Sequence, residues 1–137
     1  MPRFESLAVA ATCAQILDKK KAQDLLMLRV EELTTIADYF VIASARNPRQ
    51  LRAMSQEIQA TVHRLGIRLL GVEGTSESGW ILVDLGDVIL HLFDPPRRAL
   101  YSLEVLWGDA PEQDWAAAQP IEGAFDAERA DATEPGS

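Results

Sequence analysis

The stretch from Trp80 to Phe93 constrains this chain more than any other. Trp80-Ile81-Leu82-Val83-Asp84 and Asp87-Val88-Ile89-Leu90-His91-Leu92-Phe93 are rich in β-branched and aromatic residues and are joined by Leu85-Gly86, which reads as a β-hairpin. Gly86 supplies the positive φ that a tight turn requires. Pairing Asp84 with Asp87 sets Leu82 opposite Ile89 and Trp80 opposite His91. Side chains alternate along a strand, so Trp80, Leu82, Ile89, His91 and Phe93 share one face, and Ile81, Val83, Val88, Leu90 and Leu92 share the other. Both faces are apolar. Two strands cannot bury both, so helices must cover one face, and helices or a partner the other.

The flanking sequence supplies the covering elements. Leu7, Ala10, Ala14 and Leu17 recur at helical spacing and end at Lys19-Lys20-Lys21, which predicts a helix over about residues 4–21 with cations in its last turn. Leu25–Val30 and Tyr39–Ala43 read as strands. Asn47-Pro48 is a capping side chain followed by proline at the first helical position, and Leu51, Met54, Ile58, Val62 and Leu65 continue to a closing Gly66. Ile67–Leu70 reads as a further strand, Gly71–Gly79 as a loop of turn formers, and Arg98–Trp107 as a last short helix whose apolar set is Leu100, Leu103, Leu106 and Trp107. The order α-β-β-α-β-β-β-α predicts an α/β (α+β) domain: a mixed β-sheet flanked by helices.

Charge divides the chain. Of the 13 Lys+Arg and 21 Asp+Glu in 137 residues, residues 1–108 hold 12 and 13, while residues 109–137 hold one and eight. The expected organisation is a folded domain over 1–108 and an acidic, disordered tail over 109–137. A nearly neutral domain is not a nucleic-acid binder driven by phosphate neutralisation. Cys13 is the only cysteine, which excludes an internal disulfide and reads as a small core hydrophobe; with two histidines, His63 and His91, no zinc-ligand spacing exists. The absence of a long apolar run or leader-like segment gives the expectation of a soluble, cytoplasmic protein.

Few residues carry a chemical signal. Asp84 and Asp87, with Glu73 and Glu77 upstream, could form a two-metal carboxylate cluster as in a nucleotidyltransferase. Such sites usually take carboxylates two apart on one strand face, and these are three apart across a turn. No phosphate-cradling glycine loop is present. Turn chemistry, or an acidic patch for a basic partner, explains them more simply. Trp80 fits either a core position or an interface anchor beside clustered acids. His91 reads as a satisfied sheet histidine, because no nucleophile elbow accompanies Ser44, Ser76 or Ser78. Arg46, Arg49 and Arg52 oppose the dipole of the helix they begin, so they are either solvated and paired with surface acids or placed to meet phosphates.

Gly71-Val72-Glu73-Gly74, then Trp80 through His91, together with Arg98, Tyr101, Leu103-Glu104 and Leu106-Trp107, resemble the signature of the Iojap-like ribosomal silencing factors. Asp38-Tyr39 and Arg49-Gln50 fit its earlier pattern, and the resemblance spans roughly residues 5–107. It departs at Ser44-Ala45-Arg46-Asn47-Pro48, which lacks the family's glycine. The resemblance implies a nucleotidyltransferase-like fold without the catalytic set, no enzyme activity and no cofactor or metal. It implies a homodimer that binds the large ribosomal subunit through large-subunit ribosomal protein fourteen and sterically blocks subunit joining. Marginal contact to ribosomal RNA is what the phosphate reading of Arg46, Arg49 and Arg52 adds. The expected contact residues are Glu73, Trp80, Leu82, Asp84, Asp87 and Ile89. Large-subunit assembly and a nucleotidyltransferase-like enzyme are the alternatives.

Overall fold

A computed structural model describes residues 4–125. Two helices, α1 (Ser6–Lys19) and α2 (Pro48–Leu65), accompany strands β1 (Gln23–Arg29), β2 (Tyr39–Ser44), β3 (Gly71–Thr75), β4 (Trp80–Asp84) and β5 (Val88–Phe93), and the short helices α3 (Pro95–Tyr101) and α4 (Leu103–Leu106) follow. The strands form one mixed sheet in the order β1-β2-β5-β4-β3, in which β2 and β5 are parallel and the other neighbours antiparallel. The expected α+β architecture is therefore the one observed.

The helix signals act as read. The Asn47 side chain accepts the N–H of Gln50 at 2.8 Å, Pro48 opens α2, and Gly66 closes it with φ +78°. α1 and α2 cover one sheet face, where Val41, Ala43, Ile81, Val83, Leu90 and Leu92 meet Ala10, Leu17, Leu51, Met54 and Ile58 in the main core. Cys13 lies in that core, and burial pushes its thiol up to about 12, so it is an inert hydrophobe. On the opposite face Leu28, Phe40, Ile42 and Phe93 form a second cluster under Leu103 and Trp107.

Four expectations are corrected. Residues 67–70 are not a strand: the strand is Gly71–Thr75, which pairs with β4 from Gly71–Asp84 to Thr75–Trp80. It is an edge strand, exposed at most positions, so it lacks the apolar alternation that would mark it, and its pairing comes from β4. The hairpin register also differs. Leu85 N–H donates to Val88 O at 2.9 Å, Asp84 faces Ile89, Leu82 faces His91 and Trp80 faces Phe93, so the turn is Gly86-Asp87 rather than Leu85-Gly86. Gly86, with φ +89°, then occupies the first loop position, where a two-residue hairpin turn requires it. Because each strand end moves by one residue, the two face sets are preserved.

The last helix is two pieces. Ser102, with φ +48°, separates α3 from α4, and Asp94 caps α3 by accepting Arg97 N–H at 2.9 Å. Finally, residues 109–125, expected to belong to an unstructured tail, lie against the domain. Pro111 O and Gln113 N bond to Arg29 N and Met27 O on the free edge of β1. Ile121 and Ala124 are buried, with Trp115, Ala118 and Phe125 packed beside them. The buried Thr12 hydroxyl accepts Ile121 N–H at 2.8 Å, and Gln15 Nε2 donates to Trp115 O and Ala118 O. A few spaced apolar anchors suffice for a strap, which overall composition does not reveal. The remainder of the expected tail, 126–137, lies outside the described residues.

Candidate functional site: the open half of the second sheet face

Rows of side chains cross the second face from strand to strand. The register gives Glu73–Leu82–His91–Ile42–Leu26, flanked by Thr75–Trp80–Phe93–Ser44 and Gly71–Asp84–Ile89–Phe40–Leu28. The short helices close only part of it. Trp107 meets Phe40 edge-on at 5.1 Å between ring centroids, and Tyr101 lies 5.7 Å from Phe93 and 6.1 Å from Trp80. Arg98 holds this cover down: its guanidinium donates to Ser44 Oγ at 3.0 Å, to Asp24 O, and to Glu104 Oε1 at 3.3 Å. Gly79 makes room for the connection, since a Cβ there would strike the Asp94 carboxylate. The β4–β3 side of the face stays open.

Five of the six expected contact residues meet there. Trp80, Leu82, Asp84 and Ile89 are half-buried on β4 and β5, and the exposed Glu73 stands opposite Leu82. Asp84 Oδ1 accepts Gly86 N–H at 2.9 Å, the turn chemistry expected of it. Asp87 does not join them. It is exposed at the hairpin tip and lines a shallow cleft with Phe4, Glu5, Ser6, Leu7 and Asp38 on the α1 side. The two aspartates thus do not converge, and among the described residues no group of three or more His, Cys, Asp or Glu could hold a metal. Beyond the open strip, Glu77 is held below the usual carboxylate range, chiefly by the Ser76 hydroxyl at 2.9 Å and also by Arg52 at 3.1 Å.

His91 departs from expectation. It is half-buried between Phe40, edge-on at 5.2 Å, and Phe93, stacked at 6.2 Å, and its Nδ1, which is out of solvent, has no hydrogen-bond partner among the described residues. Burial pushes its pKa down to about 4, so the ring is neutral at pH 7. Sequence reasoning also missed an apolar patch: Leu100 is 73 % exposed, Val105 77 % and Leu106 71 %, beside a half-exposed Tyr101. The available signal was density. Seven of the nine residues from Ala99 to Trp107 are apolar, more than two turns of helix can turn inward.

A half-covered sheet face with an acid-rimmed apolar strip on a small α+β domain is the kind of surface that marks an interaction site. Comparison with known proteins gives the family. The sequence model described as "ribosomal silencing factor during starvation" matches residues 3–136. The ribosomal silencing factor RsfS of Bacillus subtilis is 43 % identical over 105 residues, which cover 77 % of this chain and 86 % of that protein. A crystal structure of a Chromobacterium violaceum protein superimposes with a TM-score of 0.74 at 27 % identity, covering 87 % of this chain and 98 % of that one. A mouse protein named for mitochondrial assembly of the ribosomal large subunit is 33 % identical over 95 residues, 67 % of this chain and 42 % of its own length. This chain belongs to the ribosomal silencing factor family, the Iojap-like proteins.

Proposed function

We propose that this protein binds the large ribosomal subunit in the cytoplasm through the open half of its second sheet face, docks on large-subunit ribosomal protein fourteen, and keeps the small subunit from joining. The observation that carries this reading is the strip Trp80–Leu82–Ile89. It is apolar, only half-buried and rimmed by Glu73 and Asp84 on a face whose other half is closed. Ribosomal proteins are rich in Lys and Arg, so acids at the rim steer and orient, while the aromatic and aliphatic centre supplies desolvated contact. Asp87 would contribute from the hairpin tip. The action is steric: a bound domain occupies space, and no reaction, cofactor or metal is needed. The exposed patch Leu100–Leu106 adjoins Tyr101 at the margin of the strip and supports the homodimer that accompanies this reading, with the patch closed by a second copy.

Co-sedimentation with isolated large subunits tests the docking. Trp80→Ala, or Asp84→Lys with Asp87→Lys, should lower it at least tenfold. Light scattering tests the silencing: purified protein should reduce subunit joining, and unchanged joining would remove the claim. The mouse relative's name favours a second reading, large-subunit assembly, under which precursor subunits accumulate in a deletion strain. The nucleotidyltransferase alternative is weakened by the divergence of Asp84 and Asp87. Calorimetry with ATP, GTP and Mg²⁺ should give no heat.

A further inference from the structure

Charge is sorted along the strand direction. The parallel strands β2 and β5 end together, with Ala45 N–H donating to Phe93 O at 2.8 Å. Just past that edge stand Arg46 and Arg49, at the start of α2. The α1–β1 turn is fastened to them by one side chain: Gln50 Nε2 donates to Lys20 O at 3.1 Å and to Lys21 O at 3.0 Å, while its Oε1 accepts Arg46 N–H at 2.6 Å. Gln50 therefore holds a two-lysine backbone against a two-arginine one. Lys20 shares Glu57 at 3.5 Å, with both side chains about two-fifths exposed. Lys21, Arg46 and Arg49 are exposed, and among the described residues no carboxylate lies within ion-pair distance of them. Asp18 and Asp24 are the acids of the adjoining turn. The opposite end of the sheet carries Glu5, Asp38 and Asp87 around one cleft.

Folding does not ask for this arrangement. The first turn of α2 contains no acid, and arginines there oppose the positive end of the helix dipole. The free N–H groups of that turn add to the positive field rather than compensating it. The residues between the cations, Asn47, Pro48 and Gln50, offer no large apolar side chain for insertion into a lipid surface, and the exposed apolar residues of α3 and α4 form a different patch. Forked arginine donors and lysines on a polar, backbone-fastened edge suit phosphate oxygens.

We propose that the edge formed by Lys20, Lys21, Arg46 and Arg49 around Gln50 is a contact surface for the phosphate backbone of structured RNA. Four cations on a net-acidic chain make only a weak, salt-sensitive RNA binder on their own. They orient a domain that is held elsewhere, with the basic edge toward RNA and the acidic hairpin toward basic protein. The proposal rests on the ribosome-bound reading only for the source of the RNA.

The test uses the full chain and a fluorescein-labelled 20-base-pair RNA duplex, read by fluorescence anisotropy. Weak binding at 50 mM salt should fall about 100-fold by 200 mM, as release of counterions from three to four phosphates requires. Arg46→Glu with Arg49→Glu should weaken it at least tenfold and flatten the salt slope, while thermal stability stays level or rises because acids suit a helix start. Arg46→Gln with Arg49→Gln gives the same direction without charge reversal. Wild-type binding in both variants, or binding to phosphatidylglycerol vesicles but not to RNA, would overturn the proposal. Asp84→Lys with Asp87→Lys separates the two readings. It should release large subunits yet keep the duplex; if it keeps both, the docking surface is wrong and the RNA edge stands.

Discussion

His91 makes the stability of the domain depend on mild acid. The half-buried ring packs between Phe40 and Phe93 with an unpartnered, solvent-shielded Nδ1, so protonation places an uncompensated charge against two aromatic rings. Its pKa falls from 6.5 to about 4 in the folded state. A depressed folded value stabilises the native state above pH 6.5, and that stabilisation is lost as pH falls toward 4. The full difference corresponds to about 3 kcal/mol, of which about 2 kcal/mol is lost between pH 7 and pH 4.5. Urea unfolding at these two pH values measures it. Carboxylates also titrate in this range, so the comparison is with His91→Phe, which fills a site already lined by aromatic rings. Wild type should lose about 2 kcal/mol more than His91→Phe between the two conditions. Equal losses would show that the ring is solvated or paired in the folded protein, and the reasoning would fail.

Gly79→Ala should cost about 2 kcal/mol in thermal unfolding, because a left-handed φ of +79° disfavours a Cβ that would also push Asp94 off the start of α3; a change under half that size would refute the close packing there. Thr12→Val removes the acceptor of the Ile121 N–H while keeping the side-chain shape. Stability should fall by about 1–3 kcal/mol, with faster proteolysis after residue 110, whereas unchanged proteolysis would mean that the strap does not depend on this bond. Trp80→Phe keeps an aromatic ring against Tyr101 but shortens the open side. It should melt near wild type and bind large subunits several-fold more weakly, and parallel losses of both would make Trp80 a core residue only.

The parts of the fold that were legible are those where one side-chain period decides. The alternation through Trp80–Phe93 fixed both face sets even though the turn was placed one residue early, because each strand shifts intact and parity survives. Helix α2 was legible from Asn47, Pro48 and Gly66, whose backbone roles are local. Strand β3 was not, since Gly71, Glu73 and Gly74 become a strand only through the ladder offered by β4. The residues of α3 and α4 read as core because they are apolar, yet a break at Ser102 leaves Leu100, Val105 and Leu106 outside. In the candidate site, Glu73, Trp80, Leu82, Asp84 and Ile89 share a face by period, while Asp87 was grouped with them by sequence proximity and belongs to the far side of the turn.

The choice that the sequence posed for Trp80, core or interface, depends on where the cover stops. Trp107 and Tyr101 reach Phe40, Phe93 and one flank of Trp80, and Arg98 ties that cover to Ser44 and the β1 backbone. Among the described residues no element continues over Leu82 and Glu73, because the chain turns from α4 to the strap and leaves for the α1 side. Trp80 therefore stands at the border, packed on one flank and half-buried overall. A residue in that position is rigid before any partner arrives, which lowers the ordering cost of binding. The strap has the complementary effect: by occupying the free edge of β1 it leaves β3 as the exposed sheet edge, adjacent to the open strip. On the proposed reading, protein docking falls on this open side of the sheet, and the acids that line it lie away from the basic edge at the start of α2.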